Sequence, residues 1–158
     1  MTRFTLLSIG VVLGLGWMVL MLVYFSFLPG WRSLGFLMTV GQVERGLASW
    51  SPADIAYHLR GTWTIDLIFP TLYGVVLSFV VHRYWQGGRR ALLLALVWLS
   101  VVADYTDNYF ALQLLAGGEG IWPLIIANWI KFIAITWPMD VGLIKWFEEV
   151  RLRRKQAV

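Results

Sequence analysis

The chain has 158 residues, of which 59% are hydrophobic and only 14% charged, well below the roughly 25% charge of soluble domains. That composition excludes an ordinary water-soluble globule and reads as a single integral membrane domain of a few helices, each span needing about 20 apolar residues. The absence of cysteine excludes disulfides, thiolate metal sites and cysteine nucleophiles, and the net charge of +4 lies mostly in short runs beside apolar stretches, a mark of membrane topology rather than of nucleic-acid binding.

A first span is predicted from about Phe4 to Leu28, too long for a signal-peptide core and without a convincing small-residue cleavage site. Within it Gly10 and Gly14 form a G-x-x-x-G pair, a spacing that lets helices approach closely, either inside the chain or in a homo-oligomer. Pro29 and Gly30 then open a connection of about thirty residues to Gly61, long enough to be functional or to hold structure of its own. Its first half, from Trp31, is apolar but broken by glycines, and is expected to lie in the membrane interface or to act as a lid. The second half contains a clear helix start: Ser51 as N-cap, Pro52 in the first turn and Asp54 at N3. A short amphipathic helix from Pro52 to about Arg60 is predicted, on the extracytoplasmic side.

The second span, about Thr62 to Val81, carries Asp66, Pro70 and Tyr73 at i, i+4 and i+7, on one helical face. Pro70 has no N–H for the carbonyl of Asp66, and a released carbonyl beside a carboxylate is one way that irregular membrane helices build cation sites. His82 to Arg90 reads as a basic turn broken at Gly87-Gly88. The third span, about Ala91 to Leu115, places Asp104, Asp107 and Asn108 at i, i+3 and i+4, so three polar groups share a face that cannot look at lipid. After the turn Ala116 to Gly120, the fourth span runs from about Ile121 to Phe147 with Asn128 and Lys131 at i and i+3. Lys131 lies about 15 Å along that span at 1.5 Å per residue, too deep to snorkel easily. Asp140 is expected near the membrane boundary with Lys145 as its partner, and residues 148–158 form a basic tail.

Basic residues beside the spans set the topology. Arg3, Arg83, Arg89, Arg90, Lys145 and the arginines and lysine of the tail fall on one side of a four-span layout, and Arg32, Arg45 and Arg60 on the other. By the positive-inside rule both termini are cytoplasmic, which suits a bacterial inner membrane. Trp31, Trp50, Trp63 and Trp122 are expected near one interface, Trp85 and Trp146 near the other, and Trp17, Trp98, Trp129 and Trp137 deeper, as packing or as pocket walls.

Three acids, Asp66, Asp104 and Asp107, accompany one base, Lys131. Full ionisation leaves two uncompensated negative charges, so either a carboxyl carries a proton or an external cation joins the group. Such a cluster can bind a ligand, move a proton, or serve only as a charge-paired polar core that fixes helix register. No P-loop, G-x-S-x-G or H-E-x-x-H motif is present. The two histidines, His58 and His82, fall on opposite sides and cannot share a metal, and Lys131 among the acids argues against an oxygen-ligand site for a hard cation; no metal and no cofactor is expected.

The arrangement D-x-x-x-P-x-x-Y (Asp66, Pro70, Tyr73), A-D-x-x-D-N (Ala103, Asp104, Asp107, Asn108) and the intramembrane Lys131 resembles a group of small bacterial four-helix integral membrane proteins of uncharacterised activity, over about residues 50 to 150. In that pattern the acid before the asparagine is often glutamate, whereas this chain has the shorter Asp107. The resemblance implies an antiparallel four-span bundle with a shared polar cluster and no particular activity. A looser likeness, of fold only, is to four-helix sterol-isomerase-like membrane proteins with acids in a lipid-binding cavity. The function expected is binding, with chemistry an open question, of a lipid-like or amphipathic small molecule by Asp66, Tyr73, Asp104, Asp107, Asn108, Asn128 and Lys131. In that role Lys131 would take an anionic head group or carboxylate. The alternatives are a proton- or cation-coupled transporter and an accessory subunit of a membrane complex. Membrane lipids are the expected partners, and nucleic acid is not.

Overall fold

The structure, a computed structural model, describes residues 3–28 and 33–156. Pro29, Gly30, Trp31 and Arg32 lie outside the described residues. Among the described residues six α-helices follow in chain order: α1 (Arg3–Phe25), α2 (Val40–Ser49), α3 (Pro52–Gly61), α4 (Phe69–Tyr84), α5 (Gly87–Leu115) and α6 (Ile121–Gln156). Among the described residues there is no strand. Within them four segments are long and apolar enough to cross a membrane: Ser8–Phe25, Pro52–Tyr84, Gly87–Leu115 and Ile121–Arg153. The protein is therefore a helical membrane protein.

Helix α3 starts as its sequence predicts. The Ser51 side chain accepts from Asp54 N–H at 3.2 Å, and the Asp54 carboxylate accepts from Ser51 N–H at 2.8 Å, a reciprocal capping box. Its end departs from expectation. Instead of stopping in a loop, α3 passes through a wide turn over Thr62–Asp66, in which Leu67 N–H donates to Thr62 O at 2.9 Å, and so enters α4. The ladder loosens there because Pro70 cannot donate. Neighbouring helices bond two carbonyls of this irregular stretch: Trp17 Nε1–H donates to Ile65 O at 3.1 Å, and the Tyr105 hydroxyl donates to Leu67 O at 3.0 Å while it accepts from Thr71 Oγ1 at 2.7 Å. Carbonyls loosened around Pro70 thus go to side-chain donors.

The first half of the long connection is the larger surprise. Ser33, Leu34 and Leu37 are almost fully buried, and Leu34–Phe36 forms a 3-10 turn packed against α5 and α6 rather than lying along a surface. Helix α2 follows, capped by Thr39, whose side chain accepts from Gln42 N–H at 3.3 Å. A buried histidine holds the turn in place. Leu34 N–H donates to His58 Nε2 at 3.0 Å, so in the neutral ring Nδ1 carries the proton and points to Thr62 Oγ1 at 3.3 Å. The His58 ring sits 5.3 Å from that of Phe25 and 5.1 Å from that of Trp50. Next to it, Tyr24 and Tyr57 stack at 4.3 Å and each donates to the other's backbone carbonyl, which fastens the end of α1 to α3.

Helices α5 and α6 share the longest interface, α4 lies against both, and α1 packs on α4 and α3. The chain reverses between α4 and α5 at Trp85 and Gln86, and Gly87, at φ 59°, begins the next helix rather than serving as a mid-turn breaker. The basic tail is no separate segment, since α6 continues without interruption to Gln156. Its charges tie helix ends together: Glu149 pairs with Arg83, accepts from the Tyr84 hydroxyl at 2.7 Å and from Arg153 at 2.8 Å. Lys145 pairs with Glu148 at 2.8 Å instead of the expected Asp140.

Close helix approach falls at other glycines than the G-x-x-x-G pair. A Cβ at Gly10 would meet Val76 at an ordinary 3.6 Å and one at Gly14 would meet nothing within 4 Å, whereas a Cβ at Gly61 would lie 2.5 Å from the Tyr24 ring. Accordingly, Gly61→Ala lowers stability by about 1–3 kcal/mol through overpacking and Gly14→Ala leaves it unchanged, as measured by thermal unfolding in detergent.

Candidate functional site

Lys131 is the centre of the site. It projects from α6 toward the i, i+3 face of α5, donating to Asp104 Oδ1 at 3.1 Å and forming a close ion pair with Asp107 Oδ2. Its third bond goes to the Gly35 carbonyl at 3.1 Å, so the buried 3-10 turn is part of the cluster. An ammonium has three N–H donors, and all three are met by protein acceptors. The Phe36 and Phe132 rings lie 6.0 and 5.3 Å from Nζ, close enough to favour the cation and to keep water from it. Gly35 lies against the cluster: a Cβ there would stand 3.4 Å from Lys131 Nζ and 3.6 Å from Asp107 Oδ2, ordinary contact distances.

The other predicted residues are all buried but divide their work. Asn128, one helical turn before Lys131, donates from Nδ2 to Leu34 O at 3.1 Å and to Leu37 O at 2.9 Å. It therefore binds the turn's backbone rather than the acids. Tyr73 accepts from Ser100 Oγ at 3.3 Å and neighbours the Asp104 carboxylate. Asn108 is buried on α5, with Nδ2 unpaired among the described residues, as are Asp107 Oδ1 and Asn128 Oδ1. Asp66 is 7% exposed and, among the described residues, no hydrogen-bond donor reaches it.

Asp66 instead lines a cleft of about 240 Å³ that it shares with Ser33, Gly35, Tyr73, Asp104 and Lys131. From this polar end the cleft runs between α1, α4 and α6, past Met18 and Leu22, Leu77 and Val80, Met139 and Leu143, to Trp146. Along α6, Lys131 to Trp146 corresponds to about 22 Å. At the far end Trp146 Nε1–H donates to Ser8 Oγ at 3.1 Å, joining α1 to α6 below the cleft. Gly14 also borders this space, so one member of the glycine pair leaves room rather than seating a helix. The deep tryptophans do not serve as walls: Trp98, Trp129 and Trp137 are about half exposed on the outer helix surfaces, and Trp146, expected at an interface, lines the cleft.

Sequence reasoning missed His58, Ser33 and Gly35. For His58 a signal existed, since His58 and Thr62 are i and i+4 at the end of an apolar-faced helix; for a glycine inside a long connection there was none. Comparison of the chain with protein-family models, curated proteins and solved structures finds no match.

Replacing Lys131 with Met leaves two buried carboxylates facing no cation and costs about 3–5 kcal/mol; the double variant with Asp107→Asn recovers part of that loss, as read by unfolding in detergent. Asn128→Ala frees the Leu34 and Leu37 carbonyls at a cost of about 1–3 kcal/mol and accelerates chymotryptic cleavage at Phe36 and Leu37.

Proposed function

We propose that the protein binds a lipid-like amphiphile, with its apolar chain in the cleft and its polar end against Asp66, Tyr73, Asp104 and Ser33. The observation that carries this reading is the combination of a long apolar slot with one polar terminus. Pockets for small ligands have this character, mostly apolar walls with a few placed polar groups. The lining follows about four turns of α6, roughly 22 Å at 1.5 Å per residue, a length that suits an extended alkyl chain. The charge cluster contributes a fixed wall, because Lys131 is held on three sides and the backbone of the 3-10 turn is held by Asn128. Neither group has to reorganise when a ligand enters, which lowers the cost of binding.

The same reading places the protein in a bacterial inner membrane as an antiparallel four-span bundle. Both termini are cytoplasmic, and α2 with α3 lies on the extracytoplasmic side. Arg83, Arg89, Arg90 and the basic end of α6 gather at one end of the helices, in keeping with the positive-inside rule. A fluorescent protein fused after Val158 is expected to fluoresce and an alkaline phosphatase fusion there to be inactive; the reverse pattern inverts the topology.

Native mass spectrometry of the protein purified in mild detergent is expected to show a co-purifying amphiphile. Gly14→Phe, which fills the slot from a position with no neighbour within 4 Å, abolishes that adduct and keeps the thermal stability of the parent. No adduct on the parent, or equal adducts on both proteins, sinks the proposal.

A further inference from the structure

We infer that the polar end of the cleft is built for a cationic head group, so that the ligand is a single-chain amphiphile carrying an amine; this rests on the cleft binding an amphiphile at all. Lys131 is the basic side chain in the cleft wall among the described residues, and its three donors are engaged by Asp104, Asp107 and Gly35 O. An anionic head group therefore finds no donor on it without breaking a buried ion pair. Asp66 is the opposite case, an acid 7% exposed that faces the cleft and receives no hydrogen bond among the described residues. A buried carboxylate without a donor is unfavourable, and a ligand N–H is the group that completes it.

The surroundings select the kind of cation. Phe69 and Tyr73, one and two turns beyond Asp66, pack their rings edge to face at 5.2 Å, and both border the cleft with Phe36 and Phe132. Aromatic faces beside a carboxylate favour an organic ammonium. A metal ion is poorly served: among the described residues no three acidic or imidazole side chains converge on one point, and two of the three local carboxylates already face Lys131. An alkylammonium asks for one carboxylate, aromatic faces and an apolar channel, and all three are contiguous here. It also removes part of the charge imbalance left by three acids and one base.

The test compares dodecylamine, dodecanol and dodecanoate, three probes of one chain length, on the full-length protein in non-ionic detergent at pH 7, by native mass spectrometry and thermal shift. Dodecylamine is expected to bind about tenfold or more tightly than dodecanol, and dodecanoate most weakly, the gain of one charge-assisted hydrogen bond. Asp66→Asn is expected to bring the amine and dodecanol to within about twofold of each other, and Gly14→Phe to weaken all three. Equal binding of the three probes, tightest binding of dodecanoate, or an amine preference that survives Asp66→Asn overturns the head-group assignment while the cleft reading stands. Binding of none of them overturns both.

Discussion

The three bonds of one ammonium group hold the polar interior together. Lys131 joins α6 to two successive turns of α5 through Asp104 and Asp107, and to the 3-10 turn through Gly35 O. Buried ion pairs are poor sources of net stability, because desolvation offsets the attraction, but they are unforgiving of rearrangement. A one-residue slip of α5 against α6 would turn an acid toward lipid and leave the lysine uncompensated. The cluster therefore sets the register of the longest helix interface in the protein.

Irregular backbone among membrane helices is tolerated only where other groups satisfy it. Two such places meet around the cluster. Within Ser33–Leu37, the Leu34 N–H is taken by His58, the Leu34 and Leu37 carbonyls by Asn128, and the Gly35 carbonyl by Lys131. At the wide turn before Pro70, Trp17 and Tyr105 take the Ile65 and Leu67 carbonyls. Through that turn the chain delivers Asp66 to the head of the cleft. Side chains that look like separate polar interruptions in four hydrophobic segments are thus largely the partners of backbone groups elsewhere.

Of the fold, the apolar segments were readable because a membrane leaves few solutions for a run of some twenty hydrophobic residues. The capping box at Ser51 was equally readable, being a local contact between residues three apart. Of the candidate site, Asp104, Asp107 and Lys131 stood out because a charge among apolar residues demands a partner. That all three donors of Lys131 are engaged was not legible in the sequence, since one acceptor is a carbonyl 96 residues away. Nor did the role of Asn128, which shares a helical face with Lys131 yet serves the turn rather than the acids.

The sequence by itself determined the class of molecule, the number of apolar segments and the surplus of acid over base inside them, because hydropathy and charge are properties of single residues and their short-range spacing. Only the tertiary structure decided which acid remains unpartnered. Asp66, Asp104 and Asp107 are chemically identical in the chain, and they differ because α6 brings one lysine to the i, i+3 pair on α5 while the wide turn before Pro70 carries Asp66 to the edge of an apolar cleft. That distinction comes from packing between segments far apart in sequence, where no local pattern records it.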